Sequence, residues 1–297
     1  MDVEARTVQP IARLGARVPP GPLTRLLRDR AGLGGLALIL VVAIAAFLGP
    51  WLAPDDPNIV DPASKLLGPG PRHPLGTDQL GRDELSRLLY GARLSLSAAT
   101  LAAGAMLLIG VAAGVTAGYY GGLLDHSLMR LVDILLAFPG LVLALAIAGT
   151  LGPSFGNLLL SVVVAGWAGY ARLVRGVALS VRRQPYIEAA HAMGASRRRV
   201  IVRHLLPNLV GPVVVLWTLD LGRLLLTLAG LSFLGLGIQP PTAEWGSMLN
   251  QGRPYLDRAP QMMLYPGLAI TLTVLAFNLF GDGLRDALDP RLRSVMR

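Results

Sequence analysis

Residues 185–208 read Pro-Tyr-Ile-Glu-Ala-Ala-His-Ala-Met-Gly-Ala-Ser-Arg-Arg-Arg-Val-Ile-Val-Arg-His-Leu-Leu-Pro-Asn, and an apolar run long enough to cross a bilayer lies on either side. Pro185 suits the first turn of a helix, where its missing N–H costs little. Gly194 suits the left-handed position that closes that helix, and Ser196 can cap a second one. Pro207 interrupts or ends the second helix. The spacing therefore predicts two short helices that part at Gly194. Arg197, Arg198 and Arg199 fall in the first turn of the second helix, where cations oppose the helix dipole. Local stability does not explain them, which leaves a membrane face or a partner.

The rest of the chain is built for a bilayer. Only 15% of its 297 residues are charged and 53% are hydrophobic, against about a quarter charged in soluble domains. There is no cysteine, which excludes disulfides and thiolate metal sites. The net charge of +9 comes almost wholly from arginines at the ends of apolar runs. That distribution fits a positive-inside topology, and no nucleic-acid-binding motif accompanies it.

In chain order, residues 1–32 form a basic tail, read as uncleaved and cytoplasmic; its charged part is too long for a secretory signal. Leu33 to Ala53 carries no charge and is the first span, since a helix needs about 20 residues to cross hydrocarbon. Residues 54–92 are an extracytoplasmic loop rich in Pro and Gly. Within it Leu85, Leu88, Leu89 and Ala92 share one helical face, with Arg82, Glu84 and Arg87 elsewhere. That pattern predicts an interfacial amphipathic helix leading into the second span, placed at 94–117. Gly110, Gly114 and Gly118 recur every four residues there and mark a close packing face.

The third span is expected at 127–149, kinked at Pro139, with Arg130 and Asp133 spaced to form a structural ion pair. Gly152-Pro153-Ser154-Phe155-Gly156 has the spelling of a nucleophile elbow but joins two apolar helices, so it reads as a tight turn. The fourth span is placed at 155–177, the fifth at 208–236 and the sixth at 262–284. Asp220 and Arg223 lie inside the fifth, either as an ion pair or as part of a transport path. With both termini inside, 19 basic residues fall in cytoplasmic segments and six in outer loops, as the positive-inside rule requires. The expected fold is all-α, an integral membrane protein of six transmembrane helices ending in a short cytoplasmic tail, 288–297.

Residues 185–208 resemble the EAA loop of ATP-binding-cassette importer permeases. Glu188-Ala189-Ala190, Gly194, Leu206 and Pro207 fall in register with that pattern, and His204 stands where it has Ile. The His-Leu-Leu-Pro-Asn spelling is similar to the peptide and nickel branch. Gly76-Thr77-Asp78, Gly81-Arg82-Asp83, Tyr90-Gly91-Ala92-Arg93 and the 278–291 tail resemble the C-type permease of dipeptide and oligopeptide importers. The resemblance implies a type I ABC importer permease domain over 93–287, in the inner membrane. It implies a second, B-type permease, two ATP-binding subunits and an extracytoplasmic solute-binding protein as partners. Glu188, Ala189, Ala190, Gly194, His204 and Pro207 would then couple transport to the ATPases, and Asp220 and Arg223 would belong to the translocation pathway. The cargo would be di- or oligopeptides, or else glutathione or nickel.

No phosphate-binding loop of the Gly-x-x-x-x-Gly-Lys-Ser/Thr type exists, and the single lysine, Lys65, lies in the outer loop. The chain is thus expected to hydrolyse no ATP itself, to be no enzyme and to need no cofactor. Two other classes compete: an ion-coupled secondary transporter relaying charge through its intramembrane carboxylates, and a structural membrane scaffold.

Overall fold

The structure, a computed structural model, describes residues 22–288. The arginines of the first 21 residues and the tail from Asp289 onward lie outside the described residues. Eleven α-helices follow one another: α1 (Pro22–Leu26), α2 (Arg30–Leu52), α3 (Glu84–Tyr120), α4 (Gly122–Leu136), α5 (Gly140–Leu151), α6 (Phe155–Arg182), α7 (Pro185–Ala192), α8 (Arg197–Val200), α9 (Leu206–Phe233), α10 (Trp245–Gly252) and α11 (Gln261–Leu288). Five of these, with α8 and α9 taken as one, are long and apolar enough to span a membrane; α4 and α5 form a bent pair that makes a sixth.

The first span begins at Arg30 rather than Leu33, because Asp29 caps it through the Ala31 and Gly32 amides. The second departs further from expectation. No separate interfacial helix precedes it; α3 is continuous for 37 residues, about 55 Å at 1.5 Å per residue. Hydrocarbon is only about 30 Å thick, so the charged first turns of α3 stand outside it. Nor do Arg82, Glu84 and Arg87 face water: each is at most 2% exposed.

Pro139 breaks the third span instead of kinking it, and α4 and α5 meet at 88°. Phe138 is pushed out of helical backbone by the proline that follows, and Pro139 has no N–H to continue the ladder. Neither half is long enough to cross alone.

The bundle closes on glycines. Gly110, Gly114 and Gly118 of α3 face Tyr170, Ala171, Val174 and Ala178 of α6, with no room for a methyl between them. Gly35 of α2 lies as tightly on the Ala276–Phe280 backbone of α11. The central core joins α3, α6 and α9 through residues such as Met106, Leu158, Leu225 and Leu231. Ser154 caps α6 through the Asn157 amide, so the nucleophile-elbow spelling is indeed a helix-starting turn.

Candidate coupling loop and transport path

The sequence of 185–208 dictates most of what that loop does. Pro185 opens α7, and Gly194 closes it with φ +80°. The Ala195 amide bonds back to the Ala190 carbonyl at 3.0 Å and the Gly194 amide to the His191 carbonyl at 2.9 Å. This pairing satisfies the orphan carbonyls of the helix end. Ser196 then caps α8 through the Arg199 amide.

The second helix is not short. A π-helical turn over Ile201–Leu205 carries α8 straight into α9, so Pro207 neither ends nor detaches it. The wider turn accommodates a proline that an α-helical ladder would not. The loop's second half is therefore the extension of the fifth span, rigidly attached to it.

Helix α7 lies as a wedge between two spans. Ile187, 1% exposed, is packed among Val174, Ala178 and Val181 of α6, Val200 of α8, Leu205 of the π turn and Leu209 of α9, and Ala190 on the same face is buried at 6%. Burying an Ile side chain contributes about 1.5–3 kcal/mol. The opposite face, with Tyr186, Glu188, Ala189, His191, Ala192 and Met193, is exposed, Met193 at 82%. His204 is half-buried and stacks obliquely on Tyr186, ring centroids 5.9 Å apart, and Pro207 is exposed. Ile187 thus ties the exposed face of α7 to both spans through packed side chains.

In the fifth span, Asp220 and Arg223 pair as their spacing expects, Oδ1 to Nε at 2.8 Å. Asp220 is buried beside the Tyr170 hydroxyl, whereas the Arg223 side chain is 60% exposed. Arg223 borders a small cleft between α9, α6 and the start of α5, with Gly140, Ala144, Gly166 and Thr227.

The pair proposed between Arg130 and Asp133 is not formed. Asp133 takes Arg172 of α6 instead, and Arg130 is exposed with no ion pair among the described residues. Asp125 of the same helix binds Arg175 of α6 through two hydrogen bonds. Asp125 and Asp133 lie toward α6, on the side of α4 that buries Val132 against Ala168 and Ala171, so the neighbouring helix outcompetes the local spacing.

A polar layer at the outer end of α3 is joined by contacts too distant in sequence for any local pattern to show. Asp78 holds Arg82 at 2.5 Å and Arg87 at 3.5 Å, and both arginines reach the Gln251 amide oxygen of α10. Arg87 also donates to the Pro57 and Pro241 carbonyls. Glu244, 4% exposed, caps α10 through the Gly246 and Ser247 amides and accepts from Ser95 of α3. Burial raises its carboxyl above the usual range. Glu84 is pushed up to about 8, and Arg87 down to about 10, both chiefly by burial. Asp55, His73 and Asp83 bring potential metal-ligand atoms within 4.8 Å of one another. Their contacts are those of a hydrogen-bonded knot: His73 meets Asp83 at 2.9 Å, and the other Asp83 oxygen takes the Ser86 amide and hydroxyl.

An all-helical bundle with a helical wedge between its fourth and fifth spans is the architecture of a membrane permease subunit. Comparison with known proteins agrees. Residues 110–294 match the family described as binding-protein-dependent transport system inner membrane component, and residues 23–69 match the N-terminal TM domain of oligopeptide transport permease C. The chain is 45% identical over 272 residues to the glutathione transport system permease protein GsiD of Pectobacterium atrosepticum, covering 91% of this chain and 90% of that protein. It is 42% identical over 270 residues to the dipeptide transport system permease protein DppC of Alkalihalophilus pseudofirmus, covering 91% and 89%. The chain belongs to the family of binding-protein-dependent transport system inner membrane components. It is a multi-pass inner-membrane permease that works in a complex with other ATP-binding-cassette subunits.

Proposed function

We propose that this chain forms half of the translocation pathway of an ATP-driven importer of short peptides. A solute-binding protein delivers the cargo outside, a B-type permease forms the other half, and two ATPase subunits dock inside. The observation that carries the coupling is the α7 wedge: Ile187 is packed between two spans while Glu188, Ala189, His191 and Met193 face outward. The arginines flanking the wedge support a cytoplasmic position for it and for both termini. Hydrolysis belongs to the partners, and this chain supplies the path.

Arg223 is proposed to face that path. A guanidinium 60% exposed within a span is costly against lipid and belongs on a polar cavity or a protein interface. Glutathione, itself a short peptide, is a second cargo reading, favoured by the relatives named for its transport. Reconstituting the complete complex and the chain alone in liposomes tests the proposal. Uptake of a labelled dipeptide or of glutathione should require ATP, the ATPase subunits and the binding protein. Uptake by the chain alone, driven by an ion gradient, would overturn it in favour of a secondary transporter.

A further inference from the structure

One feature of the sequence stays unexplained by coupling: arginines in a first helical turn, where the dipole repels them. Arg197 is exposed, and its surroundings are not open solvent alone. It borders a cavity of about 500 Å³ between the ends of α3 and α6 and the α7–α8 turn, with Tyr119, Tyr120, Arg182, His191 and Ser196. No carboxylate lines this cavity, and Arg182, Arg197 and His191 form no ion pair among the described residues. Tyr119 is 7% exposed, and its hydroxyl, buried at the wall, has no hydrogen-bond partner among the described residues. A buried hydroxyl left without a partner costs about 1–3 kcal/mol.

Two guanidiniums, an imidazole and an unsatisfied hydroxyl around one polar cavity are donors without an acceptor. We propose that this cavity binds a phosphate group. Arginine forks match phosphate oxygens in pairs, and the anion would offset the adverse placement of Arg197. The cavity lies at the ends of two spans beside paired tyrosines, the level at which lipid headgroups sit. Basic pockets between transmembrane helices take phospholipid headgroups there; a free phosphate offers the same chemistry. Arg198, Arg199 and Arg203 line a different surface and serve as an internal control. A bound phosphate would tie the α7–α8 turn to the end of α3, independently of which cargo is carried.

The test titrates the delipidated, purified complex with phosphatidylglycerol and, separately, with inorganic phosphate, followed by native mass spectrometry. One saturable equivalent attributable to this chain is expected. Arg182→Gln with Arg197→Gln should weaken it at least about tenfold, from the charged hydrogen bonds lost. Tyr119→Phe should weaken it several-fold while leaving the fold intact, and Arg198→Gln with Arg199→Gln should leave it unchanged. Saturation by the lipid alone identifies a headgroup, and saturation by inorganic phosphate that displaces the lipid identifies a general phosphate site. Equal loss in both arginine pairs, or no saturable binding of either probe, would overturn the proposal. Release of the ATPase subunits by Arg182→Gln with Arg197→Gln, with neither probe bound in the parent complex, would overturn it in favour of a partner's acidic residue. Binding is read without transport, so this result stands apart from the fate of the importer assignment.

Discussion

Replacing Gly114 by alanine isolates the contact that holds the bundle together. A methyl there would stand 2.6 Å from the Ala171 carbonyl oxygen and from Val174 Cβ, against 3.4–4 Å for ordinary contact. The shortfall is about 1 Å, well inside van der Waals contact, so the two helices would have to move apart. Overpacking of this kind costs roughly 1–3 kcal/mol. Against that, alanine is favoured over glycine in a helix by about 1 kcal/mol. Gly104, on the same helix, has nothing within 4 Å of the added methyl. Gly104→Ala should therefore be neutral or stabilising by up to about 1 kcal/mol. Gly114→Ala should be destabilising by up to about 2 kcal/mol once propensity is offset, and so less stable than Gly104→Ala by about 1–3 kcal/mol. Equilibrium unfolding of the purified variants in mixed detergent micelles gives both numbers. Equal stability of the two variants would refute the packing argument.

Three further outcomes follow from particular side chains. Glu84 has its carboxyl raised to about 8 by burial. The folded state therefore favours its protonated form, and stability should fall as pH rises from about 4.5 to 8. Glu84→Gln should flatten that slope in thermal-unfolding midpoints; an unchanged slope contradicts the burial. A double-mutant cycle should find coupling of about 0.2–1 kcal/mol between Asp133 and Arg172, an exposed pair, and none between Asp133 and Arg130. Because the chain has no cysteine, Met193→Cys and Ile59→Cys can be probed singly with an impermeant maleimide. They should label from opposite sides of the membrane, and labelling from one side would reverse the topology.

What the sequence revealed was periodic or local. Uncharged runs marked the spans, the Gly110–Gly118 spacing marked a seam, and the Pro185, Gly194 and Ser196 triplet marked the α7 turn. What it concealed was tertiary. Arg172 and Arg175 are among the cytoplasmic basic residues that the topology counts, yet they hold α4 through Asp133 and Asp125. A helical pattern places Arg82, Glu84 and Arg87 off the apolar face, toward water, because it assumes that charges seek water. Asp78 neutralises the two arginines, and Gln251, more than 160 residues away, accepts from both and completes their burial. Pro139 signalled a disturbance but not its size, since packing of the two halves decides whether a proline kinks or breaks a span.

Helix α7 is proposed to transmit motion between the spans and an ATPase. Gly194 tests it well, because a side chain there meets nothing within 4 Å but must adopt φ +80°. A valine would strain that turn by roughly 1–3 kcal/mol without disturbing the core. The decisive measurement is ligand-stimulated ATP hydrolysis and peptide uptake, made together, in reconstituted complexes carrying Gly194→Val or Glu188→Lys. Assembled, folded complexes are expected in which both activities are lost or uncoupled from each other. Normal uptake with normal stimulation in both variants would contradict it.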